Sequence, residues 1–197
     1  SRAEARRIAV RAQLPEAPRP ASVLGVVRGV GAVQRYPYAD VAPSADLVLW
    51  SRLGGRYDPD DLRRALEVDR TLVEFAGFIR PVEDLALYRA QMARPAAYAK
   101  PREWLELNAD FRDDVLRELD ERGPLLARDI PDTARFPWPS TGWTNDRNVT
   151  QMLEVLMMRG LVAIAGHEDG RRMWDLAERV YPEGQPEVSW DDAWLLR

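Results

Sequence analysis

WLELNADFRDDVLRELDERG, residues 104–123, is the stretch whose reading decides the fold. Trp104, Leu107, Phe111, Val115, Leu116 and Leu119 recur at helical spacing, with acids and arginines between them. That pattern predicts one amphipathic helix. Gly123-Pro124 stops it, because Gly accepts the left-handed cap conformation and Pro cannot continue the hydrogen-bond ladder. LLARDI (125–130) has room for one short helix, and a Pro-rich connection holding Phe136-Pro-Trp138-Pro follows, up to Gly142. Thr144 or Asn145 is then placed to cap a second helix, DRNVTQMLEVLMMRG, whose inner face carries Val149, Met152, Leu153, Leu156 and Met157. Gly160 ends it. LVAIAG and RRMWDLAER are short apolar or alternating runs. The intervening His167-Glu-Asp-Gly170 is a turn signal, so the pair reads as a hairpin.

Working outward, the order helix, short helix, helix, two-stranded wing is that of the winged helix-turn-helix. The first half gives a similar series. Ser1 is a candidate N-cap for RAEARRIAVRAQL, with Ala5, Ile8, Ala9 and Ala12 on one side and Arg2, Arg6, Arg7 and Arg11 elsewhere. Pro15, Pro18 and Pro20 form a stiff link to SVLGVVRGVGAVQ, read as a second apolar helix weakened by its glycines. Those glycines fit neither phosphate-loop nor dinucleotide spacing. ADLVLWSRLGG is a further short helix, and Asp58-Pro59-Asp60-Asp61 starts another, with Asp at the cap and Pro at the first position. TLVEFAGFIRP suits a strand or hairpin, and Pro81 opens VEDLALYRAQM, a further helix. The expected fold is mainly α with small β-hairpins, an α+β chain of tandem winged helix-turn-helix domains. Its expected segments are 1–94, a linker at 95–102, 103–182, and a tail at 183–197.

Composition bounds the chemistry. The 197 residues are 46% hydrophobic and 30% charged, an ordinary globular balance. Without cysteine there is neither disulfide nor thiolate chemistry, which suits a reducing cytoplasm. No apolar run approaches the roughly 18 residues of a membrane span, and no signal-peptide pattern opens the chain. The absent initiator Met and the abrupt ending at Arg197 lead us to expect a processed or truncated chain. One His and no Cys leave no zinc cluster and no Ser-His-Asp or Cys-His set. No cofactor is expected. His167 reads as an exposed turn residue, and Trp138, Trp143 and Trp174 as core or strut residues. Basic residues are nearly all Arg, the side chain suited to bidentate phosphate and base contacts. The net charge is −4, so a nucleic-acid surface must be a local patch. Arginines at i, i+4 and i+5, Arg2, Arg6 and Arg7, can track a phosphate backbone as well as form a solvated face. Arg6, Arg7, Arg35 and Arg52 are the candidate DNA contacts of the first half. In the second, Asn145, Arg147 and Asn148 begin the candidate recognition helix with side-chain types that read base edges, and Arg171 and Arg172 lie in the wing.

The ordered blocks EARRIAVRAQ, VGAVQ, VAPSADLVLWSRLG, YDPDDLRRAL, IRPVEDLALYRAQM, GPLLARDIPD, GWTNDRNVTQMLEVLMMRGLVAIAG and RRMWDLAERVYP carry a resemblance across nearly the whole chain. It resembles the winged-helix DNA glycosylases linked to crosslink repair and azinomycin resistance. That resemblance implies a longer protein with a further winged helix and a β-barrel, and double-stranded, damaged DNA as partner. It also implies metal-free hydrolysis of the N-glycosidic bond of alkylated or crosslinked bases. The family motif, Gln-x-Gln or Gln-x-Asp, falls on Gln34-Arg35-Tyr36. Gln34 matches the first member, whose amide orients water or sugar. Tyr36 departs from the second, and a neutral phenol accepts a proton poorly. Where some members carry Arg-x-His, this chain has Pro43 and Ala45, and Asp40 and Asp46 are the nearby carboxylates. Two other classes stay open: a winged-helix regulator, which predicts a dimer on a palindrome, and a protein-interaction module without DNA.

Overall fold

The structure is a computed structural model describing residues 1–13, 20–35, 41–92, 99–138, 147–184, 186, 188–189 and 191–192. The chain divides into two compact units, Ser1–Asp84 and Leu85–Arg197.

In the first unit, α1 (Arg2–Ala12) begins with a reciprocal cap: the Ser1 side chain accepts from Glu4 N–H while the Glu4 side chain reaches back. None of α1 is buried. Helix α2 (Val23–Val30) presents Val23, Val26 and Val27 to the core. Our expectation of a helix through Gln34 is corrected here. Gly31 ends α2, and Val33–Gln34 forms strand β1 instead. Helix α3 (Ser44–Leu53) buries Ala45, Leu49 and Leu53 at helical spacing, and α4 (Pro59–Glu67) starts on the Asp58 cap and buries Leu62, Ala65 and Leu66. Strands β2 (Leu72–Phe75) and β3 (Phe78–Pro81) form a hairpin through Ala76 and Gly77, both at positive φ, as a two-residue turn matching strand twist requires. The antiparallel sheet has the order β1-β3-β2. Leu49, Val26, Val27, Leu72 and Ile79 lie in one core with no exposed surface; such side chains stabilise by roughly 1.5–3 kcal/mol each.

The first unit ends in a 3-10 turn at Val82–Asp84, and the second opens with α5 (Leu85–Met92). The single helix expected over 104–123 is two, α6 (Ala99–Leu107) and α7 (Ala109–Arg122). Asn108 separates them with φ −117 and ψ 38, and its buried amide bonds both to Phe136 and back to the Trp104 carbonyl. The short helix expected at 125–130 is strand β4 (Leu125–Leu126) plus a 3-10 turn, Ala127–Asp129. Leu125 and Leu126 are both buried, which suits sheet pairing better than a one-sided helix. Helix α8 (Asn148–Met158) buries Val149, Met152, Leu153, Leu156 and Met157, all five expected, and Arg147 occupies its N-cap. Thr144 and Asn145, the caps expected from sequence, lie outside the described residues, as does Trp143. Strands β5 (Val162–Glu168) and β6 (Arg171–Leu176) form the expected hairpin. Asp169 and Gly170 turn it with positive φ at both positions. β4 makes the sheet three-stranded, order β4-β6-β5, and the 177–179 part of the second expected strand is helical, in α9 (Ala177–Val180). Trp174 fills the sheet's inner face. Helix, edge strand, helical segment, hairpin is thus a series both units share, and in both the edge strand pairs with the last strand.

Candidate functional site

Gln34 lies at the end of β1, opposite Phe78, with an exposed side chain. Its backbone is held at three points. It pairs with β3, its carbonyl accepts from Ser44 Oγ at 3.0 Å, and the following Arg35 N–H donates to Gly77 O at 2.9 Å. Ser44 is the first residue of α3, so this bond ties the start of that helix to the strand carrying Gln34. Tyr36 and Asp40 lie outside the described residues.

Two carboxylates lie on neighbouring elements, one on β2 and one on α3. Glu74, across β3 in register with Ile79 and Val33, belongs to the buried face of the sheet. Its Oε2 is 3.7 Å from Arg35 Nη1, a contact that holds a desolvated charge against its opposite. Asp46, in the first turn of α3, is half-buried, and its Oδ1 accepts a short hydrogen bond from the Tyr57 hydroxyl. Burial, then that bond and the Asp46 charge, push the Tyr57 phenol well above the ordinary tyrosine range; Arg35 opposes the shift. Tyr57 is therefore a permanent donor at any physiological pH.

The sequence missed Tyr57, Ser44 and Glu74. Tyr57 stands between the Gly54–Arg56 turn and the Asp58 cap, without periodicity to mark it. Only an apolar run with one acid inside it, LVEF, hinted at Glu74.

The candidate DNA contacts fall into two groups. Arg6 and Arg7 on α1, Arg147 at the α8 cap and Arg171 at the hairpin are exposed. The others are engaged within the fold. Arg52 donates from Nε to Gln13 O at 3.0 Å, and from Nη1 to Ser51 Oγ at 2.6 Å and Val48 O at 3.3 Å. Asn148 Oδ1 accepts from Trp138 N–H at 2.8 Å, and its Nδ2 donates to Asp132 Oδ2 at 3.0 Å. Arg172 lies 3.6 Å from Glu154 and stacks over Trp174, 5.9 Å from the ring centroid. Arg35 faces Glu74, and Asn145 lies outside the described residues. His167 is half-buried, paired with Arg172 on the hairpin. Among the described residues no group of three or more His, Cys, Asp or Glu stands together as a metal site, and no helix is long and apolar enough to cross a membrane.

The described residues thus form an α+β chain of two units, with an exposed glutamine on an edge strand and a half-buried carboxylate on the helix tied to it. A family model described as DNA glycosylase AlkZ-like matches residues 27–197, a span that includes Gln34, Asp46 and the whole second unit. The chain belongs to the AlkZ-like DNA glycosylase family, which ties it to DNA repair of the glycosylase kind. No curated protein and no solved structure matches it.

Proposed function

We propose that this protein binds damaged double-stranded DNA and hydrolyses the N-glycosidic bond of alkylated, including crosslinked, bases. The family match over residues 27–197, with Gln34 exposed on a strand whose backbone is held at both ends, carries this reading. Both units are read as winged helix-turn-helix domains. The series α2, β1, α3, α4, β2, β3 and the series α7, β4, 3-10 turn, α8, β5, β6 support it, as does the equivalent strand order of the two sheets.

The reaction places water beside C1′ of the damaged nucleotide as the base departs. The Gln34 amide presents both a donor and an acceptor, so it orients that water against the developing sugar cation. An N7-alkylated purine leaves readily because its positive charge is neutralised by the bond's electron pair. Arg6, Arg7, Arg147 and Arg171 are assigned to phosphate contacts, since they are exposed. Arg35, Arg52, Asn148 and Arg172 are assigned to shaping the surface, because each is engaged within the fold.

The test is incubation of the full chain with duplex DNA carrying N7-methylguanine, scoring released base against a protein-free control, with duplex affinity measured in parallel. Release above the control supports the reading. Salt-dependent binding with no release would reduce it to a DNA-binding regulator, and neither binding nor release would leave a protein-interaction module.

A further inference from the structure

The motif position that is Gln or Asp in the family holds Tyr36 in this chain, so a carboxylate that takes the water's proton must come from elsewhere. The described part of the first unit offers few choices beside β1. Glu74 sits on the buried face of the sheet and faces Arg35, so it is turned away from anything that approaches Gln34 from solvent. Asp58 is used as the cap of α4, accepting from Asp60 N–H at 2.9 Å. Asp46 differs from both. Its helix is fastened to the Gln34 carbonyl through Ser44, two residues earlier, and it is half-buried rather than enclosed. The Tyr57 hydroxyl holds one of its oxygens, which fixes the side chain's orientation and leaves the second oxygen to accept from another donor.

Resting on the glycosylase reading above, we propose that Asp46 is the catalytic carboxylate of this site and that Tyr57 is its positioning residue. Gln34 orients the water and Asp46 takes its proton. The water oxygen forms the bond to C1′ while the bond from C1′ to the purine nitrogen breaks. Its electron pair goes to the base and cancels the positive charge of alkylation. The water proton ends on Asp46, giving a neutral acid, a neutral base and an abasic sugar. Tyr57 touches none of the reacting atoms. It acts by holding the carboxylate in one rotamer, so its effect on the rate is expressed only through Asp46.

The experiment uses the full chain with enzyme in excess over duplex DNA carrying N7-methylguanine, and compares wild type, Asp46→Asn, Tyr57→Phe and the double variant. Loss of a positioned base slows release by roughly 10²–10⁴-fold. Asp46→Asn is expected to fall in that range with duplex affinity unchanged. Tyr57→Phe is expected to slow release less, and to add no further loss in the Asp46→Asn background, because both changes act through one group. Asp46→Ala, assayed with added formate, is expected to regain part of its rate, which a purely structural role would not allow. Wild-type release by Asp46→Asn, or additive losses in the double variant with no formate rescue, would overturn the assignment while leaving the glycosylase reading intact. Absence of release by wild type would overturn both.

Discussion

Asn108 grips Phe136 by both ends of its amide: Oδ1 accepts the Phe136 N–H at 3.0 Å and Nδ2 donates to the Phe136 carbonyl at 3.2 Å. The same carbonyl accepts from Trp104 Nε1 at 2.8 Å, and Trp104 meets Trp138 edge-on, with ring centroids 5.0 Å apart. Asn108 is 2% exposed, whereas Phe136 lies at the surface, so these bonds are partly shielded from water. Asn108→Ala would take the partner from the Phe136 N–H and leave the Phe136 carbonyl to Trp104 alone, in a partly buried site. A loss of about 1–2 kcal/mol is expected, visible as a lower urea midpoint with unchanged slope.

Gln34→Ala removes an exposed side chain whose backbone is held by β3 and Ser44, so the fold has no reason to change. Base release is expected to vanish while duplex affinity and thermal midpoint stay at wild-type values. Equal release by the variant would remove Gln34 from the mechanism.

Two glycines with similar backbone angles should respond differently to alanine. Gly170 has φ +74 and nothing within 4 Å of an added Cβ, so Gly170→Ala costs backbone strain alone, roughly 1–2 kcal/mol. Gly160 has φ +69, and its added Cβ would lie 2.9 Å from Met92 Sδ and 3.3 Å from Met92 Cβ. Gly160→Ala therefore costs more, because overpacking adds about 1–3 kcal/mol to the same strain. Thermal unfolding of the two variants side by side decides the order.

The Arg28–Glu83 pair gives a pH signature. Arg28 Nε donates to Glu83 Oε1 at 2.5 Å, and this bond, with burial opposing it, holds the Glu83 carboxyl below its ordinary value of 4.5. A depressed folded-state pKa means the contribution is fully present above about 4.5 and is lost as pH falls through the lower, folded value. Glu83→Gln should remove that part of the acid sensitivity and leave the stability profile between pH 6 and 8 parallel to wild type. Both side chains are about half exposed, so added salt should shrink the difference between the proteins.

Arg6 and Arg7 stand on a helix none of whose residues is buried. If they contact phosphates, changing both to Ala lowers the slope of log K against log salt by about 0.9 for each phosphate that is no longer neutralised. Helicity and thermal midpoint should not move. An unchanged slope would make α1 a solvated face, the other reading its arginine pattern allows.

How much was legible depended on how local the cause was. The caps at Ser1 and Asp58 rest on side chains a few residues from the groups they satisfy, and they could be read directly. The five inner residues of α8 follow from helical period alone, and the Asp169-Gly170 turn from the need for positive φ. Failures came where a distant partner outweighed local preference. LVEF could be read as a strand, but not that its acid would be buried facing Arg35, because the pairing runs across a third strand.

By itself, then, the sequence determined the helices with strong periodicity, the hairpins and the absence of cysteine. Tertiary structure alone decided that Gln34 sits on a strand rather than a helix, and that Asn108 breaks what looks like one continuous helix. It also decided that Asp46 is held by Tyr57 while Glu74 is turned inward. The physical reason is common to all of these. A helix face or a tight turn is selected by forces within a few residues, whereas strand pairing and the satisfaction of buried polar groups are settled by partners that only folding brings together.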